Sequence, residues 1–244
     1  MNRIVTMVLK NLPIVPGAWQ KLCRYAKHPE KYSEEEMYRH IQYILKRAVR
    51  GGNIDLQVSG TENIPKEGGF MLYANHQGMF DVLAVAATCD IPVGAVLKKE
   101  LYDIPFLHQV AICTKSFPMD REDVRQSLTV IQSVIREVKA GRNYLIFPEG
   151  TRNKGEELTM LPFKEGAFKI ATKTGCPIVP ISMNNTAEIF ENHFPKIKKT
   201  HVVLEYGTPI YPNELDKDVK KHIGSYVQNI MDETIHKNAA LINN

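Results

Sequence analysis

The sequence predicts an α/β domain with a mixed, largely parallel sheet flanked by helices, preceded by a basic helical segment. From residue 54 onward, short apolar runs alternate with longer amphipathic segments, an order typical of strands joined by helices. Residues 1–50 instead have a helical pattern throughout and hold ten Lys and Arg against four Glu, a net charge of +6. The other 194 residues hold 21 basic and 23 acidic side chains, so the excess positive charge belongs to the first segment alone.

The composition is that of one globular domain with a small N-terminal addition, and we place the boundary between residues 1–51 and 52–244. The chain has 244 residues, 43% hydrophobic and 24% charged, so it can bury a full core. The four cysteines form no Cys-x-x-Cys pair, which excludes zinc-ribbon and thioredoxin-like chemistry, and neither a metal nor a cofactor is predicted. The longest uncharged stretch has 14 residues, whereas a membrane-spanning helix needs roughly 20 apolar residues.

Breaker and capping residues divide the N-terminal segment into helices. Proline and glycine within 13–17 separate a short first piece from a helix over 18–27. Ser33 is a predicted N-cap, followed by three glutamates in the first turn, where negative charge suits the helix dipole. Apolar residues then repeat at helical spacing until Gly51 and Gly52 end the helix.

The elements of the domain follow from local periodicity. Ile54, Leu56 and Val58 alternate with polar residues, as in a half-buried strand. The segment 121–140 carries its apolar residues on one helical face and stops at Gly141. Predicted strands cover 54–58, 70–73, 93–97, 144–147, 178–181 and 202–206, and predicted helices cover 82–87, 121–140, 165–174 and 213–237.

The strongest chemical signal is the sequence NHQGMFD at residues 75–81. On one continuous helix, His76 and Asp81 would point about 140° apart, so their side chains can meet only if the chain turns between them. A strand ending near Ala74 and a bend at Gly78 supply that turn. An aspartate bonded to one imidazole nitrogen leaves the other as an acceptor, which makes His76 a candidate general base. The spacing alone also fits an alternative, a strand-end histidine beside an N-capping aspartate with no chemistry.

A second signal is FPEGTR at residues 147–152, which follows a predicted strand, where the loops of α/β sheets carry ligand sites. Gly150 lets the backbone approach a ligand, and Arg152 offers a planar fork for phosphate. Glu149 can orient either of them. The alternative is an ordinary turn with a Glu–Arg pair on the surface.

Two further cations are candidates for the same edge of the sheet. Arg121 ends the sequence SFPMDR and either binds an anionic group or is an ordinary exposed residue near the start of a helix. Lys98, at the end of a predicted strand, either adds positive potential or belongs to a solvated lysine pair. The sequence has no P-loop, Rossmann fingerprint or Gly-x-Ser-x-Gly elbow, which argues against nucleotide-binding and serine-hydrolase sites of those types.

Four sequence blocks, taken in order, resemble the four motifs of the glycerolipid acyltransferase family. They are NHQGMFD, SFPMDR, FPEGTR and CPIVPI, and the resemblance covers about residues 54–210. It implies a single acyltransferase domain. Two positions depart from the family pattern, because Gly78 stands where the family often has Ser and Lys115 stands where it often has Gly.

The resemblance implies a role for the polar residues of each block. His76 is implied to be the base that takes the proton from a lysolipid hydroxyl, and Asp81 to hold and polarise it. The hydroxyl is implied to attack the donor thioester directly, without an acyl-enzyme. The implied substrate-binding residues, around the glycerol phosphate, are Glu149, Gly150, Thr151, Arg152, Arg121 and Lys98.

From this resemblance we expect transfer of a fatty acyl group from acyl carrier protein or coenzyme A to the sn-2 hydroxyl of 1-acylglycerol 3-phosphate, giving phosphatidic acid in phospholipid biosynthesis. One alternative is an acyltransferase for another lysolipid or for glycerol 3-phosphate. Another is a non-catalytic lipid-binding relative, which the intact His76–Asp81 pair disfavours. No nucleic-acid partner is expected, because the basic segment has no known binding motif and the rest of the chain is net acidic.

A lysolipid acceptor resides in a membrane, and the N-terminal segment is suited to an anionic membrane surface. Each Lys or Arg near such a surface contributes about 1 kcal/mol. Apolar residues that can enter the interface are Ile4, Val5, Val8, Leu9, Ile14, Val15 and Trp19. We therefore expect peripheral attachment to the cytoplasmic face of the cell membrane. The alternative is a helical hairpin that packs on the domain.

Overall fold

The computed structural model describes residues 3–155, 158–192 and 199–242, which fold around one seven-stranded sheet. The strands are β1 (Ile54–Ser59), β2 (Met71–Ala74), β3 (Val93–Lys98), β4 (Phe117–Met119), β5 (Asn143–Ile146), β6 (Ile178–Asn184) and β7 (Thr200–Tyr206). They lie in the order β1-β7-β6-β2-β5-β3-β4. Every neighbouring pair is parallel except β6 and β7, which confirms the predicted mixed, largely parallel sheet.

The antiparallel pairing reverses β1 and β7 relative to the other five strands. The carboxyl ends of β2 to β6 therefore share one edge of the sheet with the amino ends of β1 and β7. We call this the carboxyl edge. Lys98 ends β3, while the segments holding His76, Arg121 and Glu149 follow β2, β4 and β5, so all four lie at this edge.

Helices cover both faces of the sheet. They are α1 (Arg3–Lys10), α2 (Val15–Lys27), α3 (Glu34–Gly51), α4 (Phe80–Thr88), α5 (Lys99–Tyr102), α6 (Leu107–Cys113), α7 (Val124–Lys139), α8 (Lys169–Thr174), α9 (Ala187–Phe190), α10 (Lys217–Lys221) and α11 (Ile223–Ile242). Leu72 and Ala74 of β2 belong to the core under α4, whereas Met71 and Tyr73 belong to the core under α7, α8 and α11. Because both faces of β2 are buried, its sequence is a continuous apolar run.

The N-terminal helices share a core with the rest of the chain. Ser33 caps α3 as predicted, since its hydroxyl oxygen accepts from the N–H of Glu36 at 3.1 Å. A buried cluster joins α2 and α3 to α4 and α6 and comprises Leu22, Tyr25, Met37, Ile41, Leu45, Ala87 and Cys113. This packing supports the alternative stated in the sequence analysis, in which the N-terminal helices form a hairpin that packs on the domain. The boundary at residue 51 stays a prediction.

The outer side of the same helices remains apolar and exposed. The exposed residues are Val5, Val8, Leu9, Leu12, Val15 and Trp19, and the side chain of Ile4 lies outside the described part. Met7 packs beside Gly52 and belongs to the same core as Ile54, at the start of β1, so α1 lies at the carboxyl edge. No helix within the described residues is long and apolar enough to cross a membrane.

The predicted elements differ from the structure at several places. The helix expected over 165–174 begins with a 3-10 helix, Glu165–Phe168, and α5, α6 and α9 were not predicted. The helix expected over 121–140 begins at Val124, because the Asp123 carboxylate caps it by accepting from two backbone N–H groups. The helix expected over 213–237 is two helices, α10 and α11, separated at His222. The short strand β4, which contains a proline at 118, was not predicted, and its position at the end of the sheet order is where a strand tolerates proline.

We predict that Ile41→Ala destabilises the whole fold by about 2–5 kcal/mol, since it opens a cavity in a cluster shared by both parts of the chain. Thermal unfolding followed by circular dichroism should show one transition moved to lower temperature. Leu12→Ala removes a side chain that is 51% exposed and should change the midpoint much less. An unchanged main transition in Ile41→Ala would mean that residues 1–51 fold independently.

Candidate active site

The loop between β2 and α4 closes around the carboxylate of Asp81. Nδ1 of His76 lies 2.7 Å from Asp81 Oδ2, so the contact predicted from the sequence is present. The same oxygen accepts from the backbone N–H groups of Gln77 at 2.7 Å and Gly78 at 2.9 Å. Three donors on one oxygen thus hold the turn that brings the two side chains together.

The hydrogen bond to Asp81 determines which nitrogen of His76 carries its proton. The aspartate side chain is 0% exposed, and Oδ1 has no hydrogen-bond partner among the described residues. A buried carboxylate is tolerated when donors compensate its lost hydration, and here all of them converge on Oδ2. Because an ionised carboxylate only accepts hydrogen bonds, the imidazole proton belongs on Nδ1, which leaves Nε2 as an acceptor.

Other contacts immobilise His76 from further sides. Its ring stacks on Phe147 with the ring centroids 4.1 Å apart. Its backbone N–H donates to Glu149 Oε1 at 2.6 Å, and its carbonyl accepts from the N–H of Asn153 at 2.7 Å. The side chain is still 16% exposed, so a rigidly held imidazole remains accessible at the carboxyl edge.

The two amide side chains of the loop fasten it to β6 and the turn that follows. Asn75 exchanges two hydrogen bonds of 2.8 Å with the backbone of Met183. The side-chain oxygen of Gln77 accepts from the N–H of Thr186 at 3.1 Å and from its hydroxyl at 3.0 Å. These amides set the position of the loop relative to the sheet.

Glu149 holds two loops together through its two carboxylate oxygens. Its Oε1 accepts from His76 N–H, and its Oε2 accepts from Leu161 N–H at 2.8 Å. The residue is buried, and this burial raises the pKa of its carboxyl above the ordinary value, against the opposing effect of the two amides. These two bonds give Glu149 a positioning role, and the substrate-binding role expected from the sequence stays a prediction.

Cationic groups gather around Gly150. Arg121 Nη1 donates to the Gly150 carbonyl, although these residues belong to different sequence motifs. Gly150 has a φ of 72°, and a Cβ on it would lie 2.6 Å from the ammonium nitrogen of Lys164. Only glycine suits this position, because it adopts positive φ readily and leaves room for the ammonium group. The neighbouring Thr151 is exposed.

Arg152 contacts a carboxylate that the sequence did not indicate. Its Nη1 donates to Glu191 Oε1 at 2.9 Å, and the same oxygen accepts from the backbone N–H of Met79 at 2.9 Å. A cavity of about 500 Å³ adjoins this pair and is also lined by Gln77 and Lys154. Arg152, which the sequence predicts to bind phosphate, therefore lies beside both the His76 loop and this cavity.

Lys98 stands apart from the other predicted site residues. It lies at the carboxyl edge, but its ammonium group is 3.0 Å from Glu100 and half exposed. Within the described residues, no hydrogen bond or ion pair joins it to His76, Arg121 or Arg152. Its implied role as a phosphate ligand stays a prediction.

Sequence reasoning missed three residues of the site, Asn153, Lys164 and Glu191, and gave no role to Phe147, the first residue of the FPEGTR block. Asn153 follows that block directly, so an extension by one residue would have included it. Lys164 and Glu191 lie in segments without a motif signal, and only the packing of their loops against Gly150 and Gly78 reveals them.

A family model of acyltransferases matches residues 55–184, more than half of the chain. This chain belongs to the acyltransferase family. The matched segment runs from β1 to the end of β6 and contains the His76 loop, Arg121 and the Glu149 loop.

Three relatives of this acyltransferase carry the name 1-acyl-sn-glycerol-3-phosphate acyltransferase. The protein of Saccharomyces cerevisiae is 30% identical over 183 residues, which cover 75% of this chain and 59% of the relative. Those of Salmonella typhimurium and Escherichia coli are each 31% identical over 169 residues, which cover 69% of this chain and 67% of theirs. The matched part thus spans 59% of the yeast protein and 67% of each bacterial protein.

A crystal structure of the 1-acyl-sn-glycerophosphate acyltransferase of Thermotoga maritima superposes on this acyltransferase with a TM-score of 0.73. The two sequences are 23% identical, and the match covers 98% of this chain and 95% of the other. At this identity the comparison confirms the fold, including the N-terminal helices.

We predict that Glu149→Gln lowers both stability and activity. The amide nitrogen of Gln would face one of the two backbone N–H groups, which then loses its acceptor at a cost of about 1–3 kcal/mol. His76 moves with its backbone, so kcat for acyl transfer should fall as well. Calorimetry and activity assays, with the exposed Glu62→Gln as control, check this. A variant with both properties unchanged would show that Glu149 does not position His76.

Proposed function

We propose that this acyltransferase transfers a fatty acyl group from a thioester, on acyl carrier protein or coenzyme A, to the sn-2 hydroxyl of 1-acylglycerol 3-phosphate. The product is phosphatidic acid, an intermediate of phospholipid biosynthesis. The observation that carries this proposal is the 2.7 Å contact of His76 and Asp81, held rigid yet accessible in a chain of the acyltransferase family. The names of the three relatives support the choice of acceptor.

In the first half of the proposed reaction, Nε2 of His76 accepts the proton of the acceptor hydroxyl as its oxygen attacks the thioester carbonyl. General-base assistance of this kind contributes about 10²–10⁴ in rate. Asp81 keeps the other imidazole proton on Nδ1 and stabilises the imidazolium that forms, as the aspartate of a catalytic triad does. Phe147 and the loop contacts preserve the ring orientation, so little reorganisation is needed.

In the second half, the tetrahedral intermediate collapses and its carbon–sulfur bond breaks. The proton held on Nε2 passes to the departing thiolate, which regenerates the neutral imidazole and releases a free thiol. Protons and electrons balance without a covalent acyl-enzyme. Asp81 donates no proton in this scheme and acts only through the histidine.

The acceptor's phosphate is proposed to lie among the cations near Gly150. Arg121 and Lys164 approach this loop from two other segments, and Arg152 belongs to the loop itself. Arginine suits this task because its planar guanidinium forms paired hydrogen bonds to phosphate oxygens. Lys98, at the same edge, adds long-range positive potential.

We also propose that residues 1–51 attach the enzyme to the cytoplasmic face of the cell membrane. A lysolipid presents its hydroxyl at the bilayer surface, so the site must approach that surface. The exposed apolar side of α1 and the net charge of +6 supply the two contributions that interfacial binding needs.

The sheet topology supports this proposal. The start of β1, against which α1 packs, lies at the carboxyl edge, three strand positions from β2. At a strand spacing of about 4.8 Å this separation is roughly 14 Å. A bilayer in contact with α1 would therefore lie close to the His76 loop.

We predict that purified enzyme acylates 1-acylglycerol 3-phosphate faster than other lysolipids or glycerol 3-phosphate, in an assay with labelled acyl thioesters on both carriers. His76→Ala should reduce kcat by about 10²–10⁴, because the base is lost. His236→Ala, an exposed histidine of α11, is the matched control and should keep wild-type activity. Retention of more than roughly a tenth of the activity in a folded His76→Ala variant would contradict the base assignment.

We predict that Leu9→Asp combined with Leu12→Asp weakens liposome binding and activity on bilayer acceptor, while activity on a soluble short-chain acceptor persists. Both side chains are exposed, so the fold should be unaffected. Binding of the wild type should rise with anionic lipid and fall with salt, since the Debye length is about 8 Å at physiological ionic strength. Tyr211→Asp, exposed at the opposite edge, is the control. Equal co-sedimentation of all variants with liposomes would mean that the enzyme binds the membrane through a surface other than Leu9 and Leu12.

A further inference from the structure

The carboxylate of Glu191 forms an ion pair with the guanidinium of Arg152. The two side chains are joined by a hydrogen bond of 2.9 Å although they are 39 residues apart in sequence. Glu191 is only 22% exposed and Arg152 is 39% exposed. The pair is thus partly withdrawn from water, where charge pairs interact more strongly than on an open surface.

The same carboxylate lies against the loop that carries the general base. Its Oε1 accepts from the N–H of Met79 at 2.9 Å. A Cβ built on Gly78 would lie 2.5 Å from its Oε2, so a side chain at position 78 would take the place of Glu191. The absence of a side chain at Gly78 therefore permits the carboxylate to reach both the loop and Arg152.

Glu191 is poorly satisfied in this position. Its Oε2 is buried, and no donor reaches it among the described residues. Burial of a carboxylate oxygen without a hydrogen bond is unfavourable, so the contact with Arg152 is weaker than a fully hydrogen-bonded pair. Glu191 therefore blocks Arg152, but an anion that forms more hydrogen bonds with this guanidinium can displace it.

We propose that Glu191 competes with the acceptor's phosphate for Arg152 and keeps the acceptor site closed until that phosphate displaces it. The inference rests on the proposed function, because it takes Arg152 to be a phosphate ligand. It adds a residue that controls access to the site and thereby favours phosphate-bearing acceptors.

A phosphate monoester is the ligand class suited to displace this carboxylate. Its second pKa is about 6, so it carries nearly two negative charges at pH 7, with three oxygens that accept from guanidinium groups. Glu191 offers one charge and engages Arg152 through a single oxygen. An uncharged acceptor such as a monoacylglycerol offers nothing to replace the lost ion pair, so the competition disfavours it.

The cavity beside the pair provides room for the exchange. Glu191 and Arg152 both line its volume of about 500 Å³, together with Gln77, Lys154 and Glu188. Glu191 follows α9 directly and reaches Arg152 only through its own flexible side chain. A change of side-chain rotamer into the cavity is sufficient to free the guanidinium, without movement of the sheet.

Steady-state kinetics of Glu191→Gln test the proposal. This variant keeps the size of the side chain and an oxygen that can accept from Met79 N–H but removes the competing charge, so KM for 1-acylglycerol 3-phosphate should fall at least about fivefold while KM for the donor stays the same. Glu188→Gln makes the same change of charge in the same cavity, at a carboxylate that accepts from the Asn192 amide, and should alter KM less than about twofold. An unchanged or increased KM in Glu191→Gln would overturn the competition and leave Glu191 as a residue that merely positions Arg152.

A double-mutant cycle ties the effect to Arg152. Arg152→Ala should raise KM for the acceptor, and addition of Glu191→Gln to it should bring no further decrease, because the contested group is gone. A decrease of equal size in both backgrounds would overturn the proposal, since Glu191 would then act by general repulsion.

Binding of inorganic phosphate separates this inference from the proposed function. At constant ionic strength set with chloride, phosphate should raise the melting temperature of Glu191→Gln more than that of the wild type, and should not do so when Arg152→Ala is added. If the wild type transfers no acyl group to 1-acylglycerol 3-phosphate, the proposed function fails while this measurement still decides the competition. Equal shifts in wild type and Glu191→Gln would overturn it.

Discussion

One oxygen atom, Oδ2 of Asp81, organises the site. It accepts from the imidazole of His76 and from two consecutive backbone N–H groups, in a position with no access to water. A buried carboxylate with fewer donors would be strongly unfavourable, so the loop has little freedom to adopt another shape. The same three bonds select the histidine tautomer, and the chemistry of the site therefore follows from a folding constraint.

The rest of the site is built outward from that loop by a second buried carboxylate. Glu149 bonds the backbone of His76 with one oxygen and the backbone of Leu161 with the other. Both acids thus satisfy backbone donors of loops, which otherwise have no regular partners. Glu191 also accepts from a loop backbone N–H, that of Met79, but the same oxygen pairs with Arg152, and it is therefore the carboxylate that the proposed competition involves.

The sheet topology brings the His76 loop and helix α1 to one edge of the sheet. Five strands deliver their following loops to the carboxyl edge, while the reversed pair β1 and β7 brings the start of β1 to the same edge. Helix α1 packs there, where Met7 meets Gly52 and the start of β1, and keeps an apolar outer side exposed. This helix is therefore both an integral part of the core and a surface suited to a bilayer.

The sequence alone determined the features that depend on neighbouring residues. Alternation in β1, the Ser33 cap of α3 and the turn that joins His76 to Asp81 each involve a few consecutive positions, where periodicity, capping and chain geometry act directly. Tertiary structure decided everything that joins distant segments: Glu149 to His76 across 73 residues, Arg121 to Gly150 across 29, and Arg152 to Glu191 across 39. These contacts depend on the strand order, in which β2 lies between β5 and β6, and on how the loops then pack. The spacing of residues in the sequence does not specify this strand order, because the order depends on burying both faces of the sheet at the same time.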